Sequence, residues 1–130
     1  MSEVSEWLAY VVDDDDAVRE SALLLLEAAG VPARGYGSSG AFLAAFDATL
    51  AGCLIFDVHM PGLSGIALLA LLRGWGVNTP AIILTGRADH AVEAEAWRYG
   101  ASLLNKPASD DELIGMIRAA FATRGLCSDP

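Results

Sequence analysis

Short apolar runs alternate with longer stretches of helical periodicity along this chain, and each run stops at a polar residue. Leu8–Val12 precedes Asp13 and Asp14, and Cys53–Phe56 precedes Asp57. Ala81–Leu84 precedes Thr85, and Leu103–Leu104 leads through Asn105 to Lys106. An unbroken apolar run of this length reads as a parallel strand covered on both faces. Between the runs, Val18, Ala22, Leu25 and Ala29 recur at helical spacing, in a helix that starts at about Asp16 or Ala17 and is closed by Gly30. Val31–Tyr36 reads as a second, weaker strand, with Pro32 marking it as an edge. Ser38 or Ser39 caps a short helix through Phe46, and Gly52–Phe56 is the third strand. Ser64 caps a helix over Gly65–Arg73, with Ile66, Leu69 and Leu72 or Arg73 as its stripe. The fourth strand is Ala81–Thr85. A helix from about Asp89 to Tyr99 ends at Gly100, and Ser102–Asn105 is the fifth strand. Ser109 with Glu112 forms a capping box before a last helix to about Ala122.

Five strands alternating with five helices over short connections predict an α/β fold, a five-stranded parallel sheet with helices on both faces. Right-handed crossovers leave few topologies, and the flavodoxin-like order 2-1-3-4-5 is the natural one. The 130 residues fit one domain, placed at 7–122, with an N-terminal extension 1–6 and a flexible C-terminal tail 123–130.

Composition narrows the function classes. Eight Lys and Arg against 17 Asp and Glu give a net charge of −9. Phosphate contacts need a basic face, so direct nucleic-acid binding is not expected. No apolar stretch approaches a membrane span, and no basic region followed by an apolar core suggests a signal peptide. Cys53 lies in an apolar strand and Cys127 near the end, so both read as reduced thiols in the cytoplasm. Part of the negative charge is the run Asp13–Asp16. Asp15 and Asp16 are equally readable as a solvated helix start with an N-cap.

In a parallel sheet the C-terminal strand ends share one edge, where ligands bind. That edge gathers Asp13, Asp14, Asp57, Thr85 and Lys106. Three carboxylates cannot all stay ionised together without a shared proton or a cation. An oxygen-only set suits Mg²⁺ or Mn²⁺. Asp14 and Asp57 are the expected direct ligands, with Asp13 acting directly or through water. A carboxylate beside a metal can attack phosphorus. The Lys106 ammonium and the Thr85 hydroxyl can then meet the phosphoryl oxygens, since such transfer asks mainly for positioning and positive charge. His59 either flanks the pocket or is an ordinary exposed loop residue. Arg87 either lies over the pocket mouth and modulates hydrolysis or is solvated.

Taken together, Val12-Asp13-Asp14, the stretch Ile55 to Gly65 containing Asp57-Val58-His59-Met60-Pro61-Gly62-Leu63-Ser64-Gly65, Ile83-Leu84-Thr85-Gly86 and Asn105-Lys106-Pro107 resemble a response-regulator receiver domain of two-component signalling. The resemblance spans about residues 7 to 122. It implies that Asp57 accepts a phosphoryl group from a sensor histidine kinase or phosphotransfer protein. It also implies that Asp13 or Asp14, Asp57 and the His59 backbone carbonyl hold Mg²⁺, that Thr85 and Lys106 contact the phosphoryl group, and that the Lys106–Pro107 peptide is cis. The chain departs from the family at Leu103, where receivers usually carry Tyr or Phe, and at Ala108, where an aromatic is usual. Leu103 therefore leaves open how the usual coupling of a Thr shift to an aromatic rotation is made.

Three readings follow. The first is a phosphorylation switch that changes a partner-binding or dimerisation face on the fourth helix, fifth strand and fifth helix. The second is a constitutive interaction module whose pocket is uncoupled from that face. The third, an aspartate-nucleophile phosphatase acting on a foreign substrate, lacks the second carboxylate at position 59. The expectation is thus a non-enzyme that catalyses only its own phosphorylation and dephosphorylation. Its expected partners are a kinase or phosphotransfer protein and a possible phosphorylation-dependent homodimer, with no direct nucleic acid and no membrane.

Overall fold

The computed structural model describes residues 7–46, 51–60, 62–86, 90–105 and 110–123. Five strands, β1 (Trp7–Val12), β2 (Ala33–Tyr36), β3 (Ala51–Asp57), β4 (Ala81–Thr85) and β5 (Ala101–Asn105), alternate with five helices. The helices are α1 (Asp16–Ala28), α2 (Ser39–Ala45), α3 (Gly65–Gly74), α4 (His90–Arg98) and α5 (Asp110–Thr123). All strand pairs are parallel, in the order β2-β1-β3-β4-β5. The expected fold and strand order are therefore met. Lys106, Pro107, Ser109 and Arg87, the extension 1–6 and residues 124–130 lie outside the described residues.

Period-two alternation splits the strand side chains between two cores. Ala9, Val11, Cys53, Ile55, Ile82, Leu84 and Leu104 face one side, where Leu26 of α1 and Leu113, Ile117 and Phe121 of α5 cover them. Tyr10, Val12, Leu54, Phe56 and Ile83 face the other, against Phe42 of α2 and Leu68, Leu69 and Leu72 of α3. Phe42 centres this second layer, with its ring 5.4 Å from Tyr36 and 5.6 Å from Phe56 in edge-to-face geometry. Leu103 and Tyr99 are partly buried against the same layer.

Helix ends follow local chemistry. Ser38 and Ser64 accept from the Ala41 and Ala67 amides and cap α2 and α3. Past α1, Gly30 adopts φ 79° and donates to Glu27 O, while Val31 donates to Leu26 O. That paired arrangement closes a helix where a left-handed residue is available, and glycine takes it without a Cβ penalty.

The expected stripes of α1 and α3 are largely met, with one departure in each. In α1 the buried residue is Leu26, while Val18 is 38% exposed and Leu24 is 66% exposed. Ala22, Leu25 and Ala29 pack against the core as expected, joined by buried Leu26 and by Leu23, and Val18 alone of the stripe does not. In α3 the buried residues are Gly65, Leu68, Leu69 and Leu72, and Ile66 is only partly buried. Arg73 does not extend the apolar stripe. Its Nε donates to Tyr99 O at 2.9 Å, and its Nη1 donates to Val77 O at 3.0 Å and Thr79 O at 2.8 Å.

Candidate functional site

Register alone brings the key side chains together. Val12 pairs with Phe56 and Asp57 pairs with Leu84, so Asp13 and Asp57 lie side by side just past that pair, with Thr85 one step beyond Leu84. Because β1 continues through α1 to β2 on one side while β3 lies on the other, a crevice opens between the β1 and β3 ends. That is the switch point at which open α/β sheets bind ligands.

Carboxylate oxygens of Asp13, Asp14 and Asp57 all lie within 4.8 Å of one another. Asp13 and Asp57 are buried at 2% and 6% exposure, and Asp14 is exposed. The crevice therefore has a buried floor and a solvent-facing rim. The donors are all hard carboxylate oxygens, which fits a divalent cation of the Mg²⁺ and Ca²⁺ class rather than a soft metal.

The acidic run resolves into four separate tasks. Asp13 Oδ1 accepts from the Asp15 amide at 3.0 Å. Asp14 completes the cluster. Asp15 is the N-cap of α1 and accepts from Val18 N at 3.1 Å. Asp16 pairs with Arg19 at 2.6 Å. Both bland readings of the run, N-cap and first-turn charge, are thus realised at Asp15 and Asp16, and the first two aspartates belong to the crevice.

Two loop contacts set the height of β3's end. Val58 donates to Leu84 O at 2.8 Å, and Gly65 donates to Val58 O at 3.2 Å, which draws the start of α3 against the strand. A Cβ on Gly65 would fall 2.2 Å from Asp57 O, so only glycine permits this approach. Ser39 Oγ donates to Leu63 O at 2.8 Å and ties the same loop to α2.

Of the remaining expected residues, Thr85 is fully buried at the end of β4 and His59 is exposed in the loop after β3. Leu103 is partly buried on β5, paired with Ile83. Lys106 and Arg87 are outside the described residues. Sequence reasoning missed Arg19, which donates to Asp13 O at 2.8 Å. The only signal was its place one turn into a helix that follows an acidic run.

The family model described as response regulator receiver domain matches residues 9–118. Transcriptional regulatory protein FixJ of Azorhizobium caulinodans is 42% identical over 113 residues, covering 86% of this chain and 54% of its own length. Response regulator protein TodT of Pseudomonas putida is 36% identical over 113 residues, covering 86% of this chain and 50% of its own. Among solved structures, FixJ-N superposes with a TM-score of 0.81 at 34% identity, covering 90% of this chain and 94% of that one. This chain spans about half the length of the curated relatives it matches.

These likenesses correct one expectation. Net charge argued against direct nucleic-acid binding, yet the relatives are transcriptional regulatory proteins. The physical reason is scope: the charge of −9 describes the surface of these 130 residues. It says nothing about a separate segment of a longer regulator.

Proposed function

This chain belongs to the response regulator receiver family, and on that premise we propose that Asp57 is its phosphoacceptor. In this reading a carboxylate oxygen of Asp57 attacks the phosphorus of a phosphohistidine on a sensor kinase or phosphotransfer protein. The P–N bond breaks, the electron pair stays on the imidazole, which takes a proton, and an acyl phosphate forms on Asp57. The observation that carries the reading is the set of three carboxylates within 4.8 Å at the sheet's switch point, two of them buried.

Asp14 and Asp57 would hold Mg²⁺ (or Mn²⁺), with Asp13 directly or through water and the His59 carbonyl from the loop. When bound, the ion supplies positive charge beside the transferring oxygens. The Thr85 hydroxyl donates to a phosphoryl oxygen and the Lys106 ammonium meets another as a point cation, while Arg87 either modulates hydrolysis or is solvated. The domain acts as residues 7–122, in the cytoplasm, as a signalling module that catalyses only its own phosphorylation and dephosphorylation. Its modified state alters the face of α4, β5 and α5, where a partner or a second copy docks. Transcriptional control is the output, on the strength of the relatives' names and their identity.

Mass spectrometry after treatment with Mg²⁺ and a small acyl-phosphate donor tests the acceptor. Wild type gains one phosphoryl group, and Asp57→Asn gains none. A modified Asp57→Asn protein overturns the assignment. Leu103, packed where receivers usually carry an aromatic, favours the constitutive module as the second reading. Full modification of Asp57 with no change in oligomeric state or partner affinity would establish that alternative.

A further inference from the structure

Arg19 takes no part in the phosphoryl chemistry, yet its guanidinium closes over the turn that carries two of the three clustered carboxylates. Nη1 donates to the Asp13 carbonyl at 2.8 Å, and Nη2 donates to Asp16 Oδ1 at 2.6 Å. The side chain is only 17% exposed. Its stem runs along the end of β2, in a channel that two glycines leave open. A Cβ on Gly35 would sit 3.2 Å from Arg19 Cδ and 3.3 Å from Cγ, and one on Gly37 would sit 3.3 Å from Nη1.

The turn is therefore held from several directions. Asp13 Oδ1 takes the Asp15 amide, Asp15 caps the helix, and Arg19 bridges the backbone of Asp13 to the side chain of Asp16. Asp16 is 82% exposed and stands outside the carboxylate cluster. An ion pair with so exposed a partner adds little stability. What the bridge fixes is position.

We propose that Arg19 is a positioning residue for the cation site, holding the Asp13–Asp16 turn at the compact spacing a small ion needs and so setting a preference for Mg²⁺ over Ca²⁺. The inference rests on the reading of the cluster as a divalent-cation site. Mg²⁺ demands near-ideal octahedral geometry at about 2.0–2.1 Å, whereas Ca²⁺ accepts flexible shells at about 2.3–2.6 Å. Loosening the turn penalises Mg²⁺ more than Ca²⁺. Charge alone acts with the opposite sign, because removing a cation near the site tightens binding of both ions.

Isothermal titration of the full chain with MgCl₂ and with CaCl₂ separates these cases, using wild type, Arg19→Met and Arg19→Lys. Lysine keeps the charge and the stem against Gly35 but loses the two-armed donor. Arg19→Met is expected to weaken Mg²⁺ binding about tenfold, the low end for partners that orient metal ligands. The ratio of the Ca²⁺ to the Mg²⁺ dissociation constant falls about threefold or more, because Ca²⁺ tolerates the loosened geometry. Arg19→Lys shifts the ratio in the same direction and carries the test alone if Arg19→Met does not fold. An unchanged ratio, or tighter binding of both ions, overturns the role of Arg19 while leaving the cation site standing. A wild-type protein that binds neither ion overturns the site and this inference with it.

Discussion

Replacing Gly65 by alanine probes how the helix start and the strand end share space. The added methyl would lie 2.2 Å from Asp57 O, 2.9 Å from Asp57 C and 3.1 Å from Phe56 Cβ. The nearest obstacle is backbone, so no side-chain rotation relieves it, and α3 must lift from β3. That movement strains the Gly65 to Val58 O bond and shifts the strand end carrying Asp57. Overpacking of this kind costs about 1–3 kcal/mol, and a backbone obstacle puts Gly65 near the top of that range. Alanine returns part of this through helix propensity, up to about 1 kcal/mol in a helix interior and less at a first position. The net loss is about 2 kcal/mol, which for a domain of this length lowers the Tm by about 8 °C.

Gly115 is the internal control. It is exposed in α5, and a Cβ there meets nothing within 4 Å. The same substitution at Gly115 therefore gains up to about 1 kcal/mol. Urea unfolding followed by circular dichroism measures both variants, and the rate of acyl-phosphate modification reports on Asp57. Gly65→Ala should lose stability and react more slowly, while Gly115→Ala gains stability and reacts at the wild-type rate. The reasoning is refuted if the two substitutions move stability in the same direction.

Burial pushes the Cys53 thiol up to about 12 from 9.0. The native state thus holds its proton more tightly than the unfolded chain. The contribution is complete below the unfolded value and is lost at about 1.4 kcal/mol per pH unit from pH 9 upward. Cys53→Ala lacks this slope, so the stability gap between the two proteins, followed by urea unfolding, narrows as pH rises above 9. Asp15→Ala removes the α1 N-cap and costs about 1 kcal/mol in the same assay; an unchanged midpoint would show that the cap contributes nothing. Arg73→Met strips the shared donor from three carbonyls. The loss is about 2 kcal/mol, and hydrogen exchange should quicken at the C-terminal end of α4 and the segment before β4; unchanged exchange there would contradict the tether.

Much of the fold was legible because both faces of the sheet are covered. Apolar runs such as Cys53–Phe56 and Ala81–Leu84 have few other structural explanations, and the polar residue ending each run marks the sheet's reactive edge. The ends of the helix stripes were less legible. Val18 and Ile66 lie at helical spacing with true core residues, but how far each stripe stays buried depends on how each helix packs. Arg19 and Arg73 were hidden for a different reason. Arg73 donates only to main-chain carbonyls, which every residue carries, and for Arg19 the i,i+3 pairing with Asp16 is visible in the sequence but its bond to the Asp13 carbonyl is not. Gly65 was visible as part of a Ser-Gly pair, but its close approach to Asp57 O exists only once α3 folds back onto β3.

On the switch reading, α4 is the element placed to move. Ala96 is its one buried residue, and Val92 adds a partly buried contact. Its C-terminal end is held by Arg73 through Tyr99 O. Its N-terminal end follows the chain leaving Thr85, on the crevice side of the sheet. On that reading a helix held at its C-terminal end would tilt about that end. Leu103 lines the groove between α4 and β5 and has no ring to swing. Trp97 of the same helix, 84% exposed, borders that groove. A displacement that begins at Thr85 would therefore reach the surface as a tilt of α4 about Arg73 rather than as the turn of a single side chain. The face that changes would be the one carrying Trp97.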